Sequence, residues 1–155
     1  MLENCESAKE RWGGVSSIID RWIKERQDVL VQYCKLTKGK EPENSEQKQG
    51  THLQKLCQIT VDYVSAGHFE VYDQLLREGR EFNDDVALKE AGKLYTTVNE
   101  TTEYVLDFND KYQETDDLEA LDTDLSRLGE ILETRFEAED RMIEVLHDSH
   151  RDFVA

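Results

Sequence analysis

The sequence holds one proline and eight glycines among 155 residues. That scarcity excludes collagen-like, linker and turn-rich β-sandwich compositions and favours long helices. No apolar run exceeds three residues, Val29 to Val31 being one, against the roughly 20 that a membrane-spanning helix needs. Glu3, Glu6, Lys9 and Glu10 stand where a secretory leader needs an apolar stretch. The three cysteines, Cys5, Cys34 and Cys57, form no CxxC and cannot all pair with one another, so a reduced, cytoplasmic chain is expected. The sequence contains no GxSxG, P-loop, GxGxxG or HExxH motif, so no enzyme activity is indicated and no cofactor is expected.

Bases are scarce as well. Nineteen Lys and Arg stand against 35 Asp and Glu, a net charge of −16. Residues 1–93 hold 14 bases and 17 acids, while residues 94–155 hold five and 18. A field of this sign repels phosphate and anionic lipid and attracts basic protein surfaces, which argues against direct nucleic-acid or membrane binding.

What the sequence does contain is helical periodicity. Trp12, Val15, Ile19, Trp22, Arg26, Val29, Tyr33 and Leu36 step by three and four, the stripe of a bundle helix over about 4–36. Residues 37–51 are polar, contain Gly39 and Pro42, and read as a loop. Thr51 with Gln54 forms a capping box for a second helix over 52–78. Its stripe is Leu53, Cys57, Val61, Val64, His68, Val71 and Leu75, with Gly79 as the expected C-cap. Asn83, Asp84 and Asp85 suit the start of a third helix, 84–113, with Ala87, Ala91, Leu94, Val98, Val105, Phe108 and Tyr112 facing inward. Asp116 with Glu119 opens a fourth, 116–150, following Leu118, Leu121, Leu125, Leu128, Leu132, Phe136, Glu139, Ile143 and Leu146. The expected fold is therefore all-α, an antiparallel four-helix bundle with long helices in a single domain spanning 1–155. Glu130, Glu133, Glu137, Asp140, Glu144 and Asp148 place an acidic ribbon on a different face of the fourth helix.

Three polar residues fall on the inward stripes: Arg26, His68 and Glu139. A buried charge without a partner costs several kcal/mol, so an Arg26–Glu139 pair with His68 nearby is expected, forming a polar layer in the core. Arg135, one turn from Glu139, is the competing partner. The same layer could serve a small-molecule or metal-binding bundle. The metal version is weak, because di-iron bundles need two Glu-x-x-His pairs and Glu144-Val145-Leu146-His147 is the only one here. Cys57 lies on the core stripe and reads as packing.

Once the stripes are assigned, Ile18, Phe69 and Tyr72 remain as apolar residues without a place in the core. Asp62, Ser65, Phe69 and Tyr72 follow one another at helical spacing and form a second, aromatic and acidic face suited to an interface with a charged rim.

The stretch Val61-Asp62-Tyr63-Val64-Ser65-Ala66-Gly67-His68-Phe69-Glu70-Val71-Tyr72 resembles the signature of the Rsd/AlgQ family of bacterial anti-sigma factors. Arg11-Trp12-Gly13-Gly14, Ile19-Asp20-Arg21-Trp22, Glu25-Arg26-Gln27, Arg135-Phe136-Glu137 and Met142-Ile143-Glu144-Val145-Leu146-His147 extend the likeness over nearly the whole chain. It is nearer the AlgQ-like branch than the enteric one. The resemblance implies a helical-bundle protein that binds region four of the primary sigma factor, keeping it from core RNA polymerase and the −35 promoter element. It implies that Asp62 pairs with an arginine of sigma, with Ser65, Phe69 and Tyr72 beside it. Ile18 and Trp22 are the first-helix residues that could complete the patch, although Trp22 also lies on the core stripe. An exposed apolar patch of this kind also permits self-association in the absence of sigma.

Overall fold

The computed structural model describes residues 2–38, 46–113 and 118–154. Its elements are α1 (Leu2–Lys38), α2 (Glu46–Ala66), a π turn (Gly67–Val71), α3 (Tyr72–Glu81), α4 (Asp85–Tyr112), α5 (Leu121–Leu146), a 3-10 turn (Asp148–His150) and α6 (Arg151–Val154). Ala66, Val71 and Tyr72 all keep right-handed helical dihedrals, so α2, the π turn and α3 run on as one rod. The result is a helical bundle of four long rods, as the periodicity indicates.

Their directions follow from side-chain contacts. Along α1 and α5, Trp12 meets His147, Arg26 meets Asp140 and Tyr33 meets Leu125, so the two helices run in opposite senses. Between α4 and α5, Glu90 meets Arg141, Val98 meets Arg135 and Tyr104 meets Asp124, the same antiparallel relation. The inward stripes of α1, α4 and α5 supply most of the buried core, from Val15 and Val29 through Val98 and Phe108 to Leu128 and Leu132.

Several boundaries differ from the sequence expectation. The second rod opens at Glu46 rather than at residue 52, so Thr51 and Gln54 lie inside α2 and do not form a capping box. Glu46 to Gln49 are straight-chain helix formers by residue type, a preference that carries no apolar spacing in the sequence. Residues 39–45, with Gly39 and Pro42, lie outside the described residues. Gly79 is not a C-cap but a buried position within α3. A Cβ there would come within 2.7 Å of Leu146 Cδ2 and 2.8 Å of Leu88 Cδ2, so glycine serves close helix approach. The left-handed residue after α3 is Asn83, with φ of 54°, and the Asp84 side chain caps α4 by accepting from Ala87 N–H at 3.1 Å. Asp116 lies outside the described residues, Glu119 sits in a turn, and α5 opens at Leu121.

Candidate partner-binding site

The π turn decides which side chains of the second rod face outward. Spacing alone assigns His68 to the interior and Tyr72 to the partner face, and the structure reverses both. His68 is exposed, its ring nitrogen Nδ1 3.2 Å from the Tyr95 hydroxyl. Tyr72 is only 2% exposed. A π turn bonds i to i+5, here Tyr72 N–H to Gly67 O, so it spends an extra residue and shifts the phase of everything after it. The turn winds tightly against α1. A Cβ on Gly67 would lie 3.0 Å from both Trp22 Cζ2 and the Tyr72 hydroxyl, which only glycine accommodates comfortably.

Trp22 is likewise interior, 2% exposed. Its ring stacks on Tyr63 at 4.8 Å, and its indole N–H donates to the Tyr63 carbonyl at 3.1 Å. It supports the surface from within rather than forming part of it.

Arg26 and Glu139 do meet in the core, Nη2 to Oε1 at 3.5 Å, without His68. The stronger partners of Glu139 lie off the inward stripes. Arg135, fully buried, donates from Nε to Glu139 Oε2 at 3.2 Å and from Nη2 to the Tyr72 hydroxyl at 2.9 Å. Its Nη1 donates to the Val98 carbonyl and the hydroxyls of Thr101 and Thr102. Tyr63 donates to Glu139 Oε1 at 2.6 Å, and Tyr72 donates to Oε2. Arg26 donates to the Tyr63 hydroxyl at 3.0 Å and to Asp140 Oδ1 at 2.6 Å. Glu139 thus receives four donor groups from three rods. Burial lifts its carboxyl above the ordinary range against the pull of Arg135, the two phenols and Arg26. Burial and the Glu139 charge hold both phenols well above theirs. With both carboxylate oxygens occupied, the layer offers no open acceptor to a ligand.

His147 belongs to a second buried pair, Nδ1 to Glu78 Oε2 at 2.7 Å, not to a Glu-x-x-His metal site. Among the described residues no group of three or more His, Cys, Asp or Glu side chains is placed to hold a metal. Burial pushes the Cys57 thiol up to about 11, consistent with a packing role.

On the outside, Phe69 is 77% exposed, its edge against the His68 ring at 4.9 Å. Asp62, farther up the same rod, is exposed and held by Gln58 Nε2 at 3.2 Å; Ser65 and Ile18 are half-buried. Two further neighbours, Glu25 and Glu70, belong to this surface and do not emerge from spacing. Burial, then the charges of Glu70 and Asp62, raise the Glu25 carboxyl of α1 above its ordinary range, with Arg21 opposing. Acids from α1, α2 and the π turn therefore lie close enough to act on one another. The signal for Glu70 is its place directly after Phe69. Glu25 requires knowing which turn of α1 faces the second rod. The acidic ribbon, five residues on α5 and Asp148 in the 3-10 turn, is exposed at all six positions.

Among the described residues no helix is long and apolar enough to cross a membrane. Residues 1–147 match the family model described as regulator of RNA polymerase sigma(70) subunit, Rsd/AlgQ. The chain is 36% identical over 159 residues to a protein named Regulator of sigma D from Enterobacter sp. (strain 638), covering 97% of this chain and 92% of the relative. Proteins of the same name from Salmonella arizonae and Salmonella paratyphi B are each 34% identical over 161 residues, covering 98% of this chain and 95% of theirs. The match over residues 1–147 and the 34% to 36% identity to these relatives over nearly the full length establish that the chain belongs to the Rsd/AlgQ family of sigma regulators.

Proposed function

We propose that this protein is a cytoplasmic, non-enzymatic anti-sigma factor that binds region four of the primary sigma factor and sequesters it from core RNA polymerase and the −35 element. The observation that carries this reading is Phe69, a large aromatic ring held out in solvent on a π turn, on a rod whose acids Asp62 and Glu70 act together on Glu25 of α1. An aromatic anchor with an acidic rim suits a basic partner surface that has its own apolar pocket. Sigma region four, a helix-turn-helix domain, is basic where it meets phosphate. The mechanism is occlusion: an acidic surface occupies the ground that the promoter and polymerase would otherwise contact.

The contact set is Asp62, Ser65 and Phe69 with Ile18 at the edge, and Glu25 and Glu70 as added rim charges. Trp22 and Tyr72 act by holding that set in place. Without sigma, the Phe69 surface is the patch through which two copies would associate. Titration calorimetry of the protein into isolated region four at two salt concentrations tests the reading. One-to-one binding that weakens as salt rises supports it; no heat at either salt, with no complex on gel filtration, overturns it.

A further inference from the structure

A cleft of about 710 Å³ lies between α1 and α3, away from the polar layer. Its apolar wall is Val15 and Ile18, with the Trp12 and Phe82 rings also lining it. Both rings are braced from behind: Trp12 stacks on His147 at 4.2 Å with a 9° tilt, and Phe82 stacks on His150 at 4.5 Å. Rigid aromatic walls over an apolar floor are the usual frame of a small-molecule site.

The charges around the cleft run against those of the chain. In a protein of net −16, it is lined by Arg11, Arg77 and Arg80 against Glu78 and Glu81. Arg11 is paired with Glu81, and Arg77 with Asp73 at 3.1 Å. Arg80 has no ion-pair partner among the described residues and is exposed. Glu78 is the reverse case. It is 4% exposed, one carboxylate oxygen takes His147, and the other, Oε1, is buried with no hydrogen-bond partner. That oxygen is shut off from solvent, so it offers no contact to a ligand in the cleft. Gly14 also lines the cleft, and a Cβ there would meet nothing within 4 Å.

We propose that this cleft binds a small planar organic anion, whose ring packs against Trp12 and Phe82 and whose acidic group lies outward beside Arg80. The apolar lining selects an aromatic ring system, and the arginines select a carboxylate, sulfonate or phosphate. The cleft shares only Ile18 with the proposed sigma contact set, and binding measured without sigma tests it independently of that reading.

The probe is 6-hydroxy-2-naphthoate, titrated into the full chain without sigma while the tryptophan indole N–H signals are followed by NMR. The protein has two tryptophans; Trp12 lines the cleft and Trp22 is buried against Tyr63. The expected result is saturable one-to-one binding that moves the Trp12 signal and leaves Trp22 in place. Arg80→Ala should weaken it about tenfold or more, the scale of one charge-assisted hydrogen bond. Gly14→Leu should abolish binding by filling the open wall, while melting no lower than the parent because leucine is the better helix former. An unmoved Trp12 signal at millimolar probe, undiminished binding to Gly14→Leu, or equally tight binding of neutral 2-naphthol would each overturn the proposal.

Discussion

Truncating Phe69 to alanine should separate binding from folding. A phenylalanine side chain can bury about 150–250 Å². At 77% exposed, some 150 Å² of this one is available to a partner, a ceiling of about 4 kcal/mol at ~25 cal/mol per Å². Alanine keeps the Cβ, and an interface rarely covers every face of a ring. About half the ceiling, roughly 2 kcal/mol, is the expected loss, or about thirty-fold in affinity for sigma region four. The fold has little to lose, because the ring packs against His68, which is itself exposed, so stability should move by no more than about 0.5 kcal/mol. Calorimetric affinity and the urea midpoint, measured on the same preparation, decide the matter. Affinity within twofold of the parent would remove Phe69 from the interface. A drop in affinity matched by an equal drop in stability would refute the reasoning equally, since it would mean that the ring supports the fold.

Asp62→Ala should weaken sigma binding by tens-fold, the scale of removing one member of a desolvated charge pair, with unchanged helical circular dichroism; an unaltered affinity would remove Asp62 from the contact set. Tyr72→Phe should lower the urea unfolding free energy by about 1–3 kcal/mol, because Glu139 loses one of its donors and Arg135 one of its acceptors. A change below about 0.5 kcal/mol would show that the layer does not depend on that hydroxyl. Asp84 gives a pH prediction. The His150 hydrogen bond, then the Ala87 N–H, hold its carboxyl below the ordinary 3.8. Its contribution to stability is therefore present above that value and is lost as pH falls through the lower folded one. Asp84→Asn keeps a capping oxygen but cannot titrate, so its urea midpoint should fall less than the parent's between about pH 5 and about pH 2.5, a window that brackets the carboxylate range. Parallel profiles would exclude Asp84 as a source of acid sensitivity.

Most of the bundle is legible in the sequence because its apolar residues recur at helical spacing with little interruption. Every residue of the α1 stripe from Val15 to Leu36 is buried except Tyr33, which is half-buried. Helix ends are less legible, since Glu46 to Gln49 belong to α2 and carry no periodic mark in the sequence. Spacing makes Arg135 an alternative to Arg26, whereas the structure uses both. A carboxylate has two oxygens, and one-dimensional spacing gives no count of the donors that converge on them. Phe69 and Asp62 stand out in the sequence because an aromatic ring beside an acid, both off the core stripe, is left facing solvent unless a partner covers it. Glu25 carries no such mark, because its role depends on which turns of two helices lie side by side.

The exchange of His68 and Tyr72 has a single cause, and it ties the polar layer to the partner face. Tyr63 and Tyr72 are nine residues apart, which in an uninterrupted α-helix of about 100° per residue places them about 180° apart, on opposite sides. Yet both donate to the carboxylate of Glu139. The π turn between them absorbs one residue and brings their separation to about 80°, close enough for the two phenols to converge on one carboxylate. Gly67 opens that turn and leaves room for Trp22 and the Tyr72 hydroxyl. The residues inside the turn, His68, Phe69 and Glu70, are the ones left in solvent. A straight helix could satisfy Glu139 with one tyrosine or the other. The π turn lets it use both, and the same unwinding presents Phe69 to a partner, so the buried layer and the exposed anchor arise from one departure from α-helical geometry.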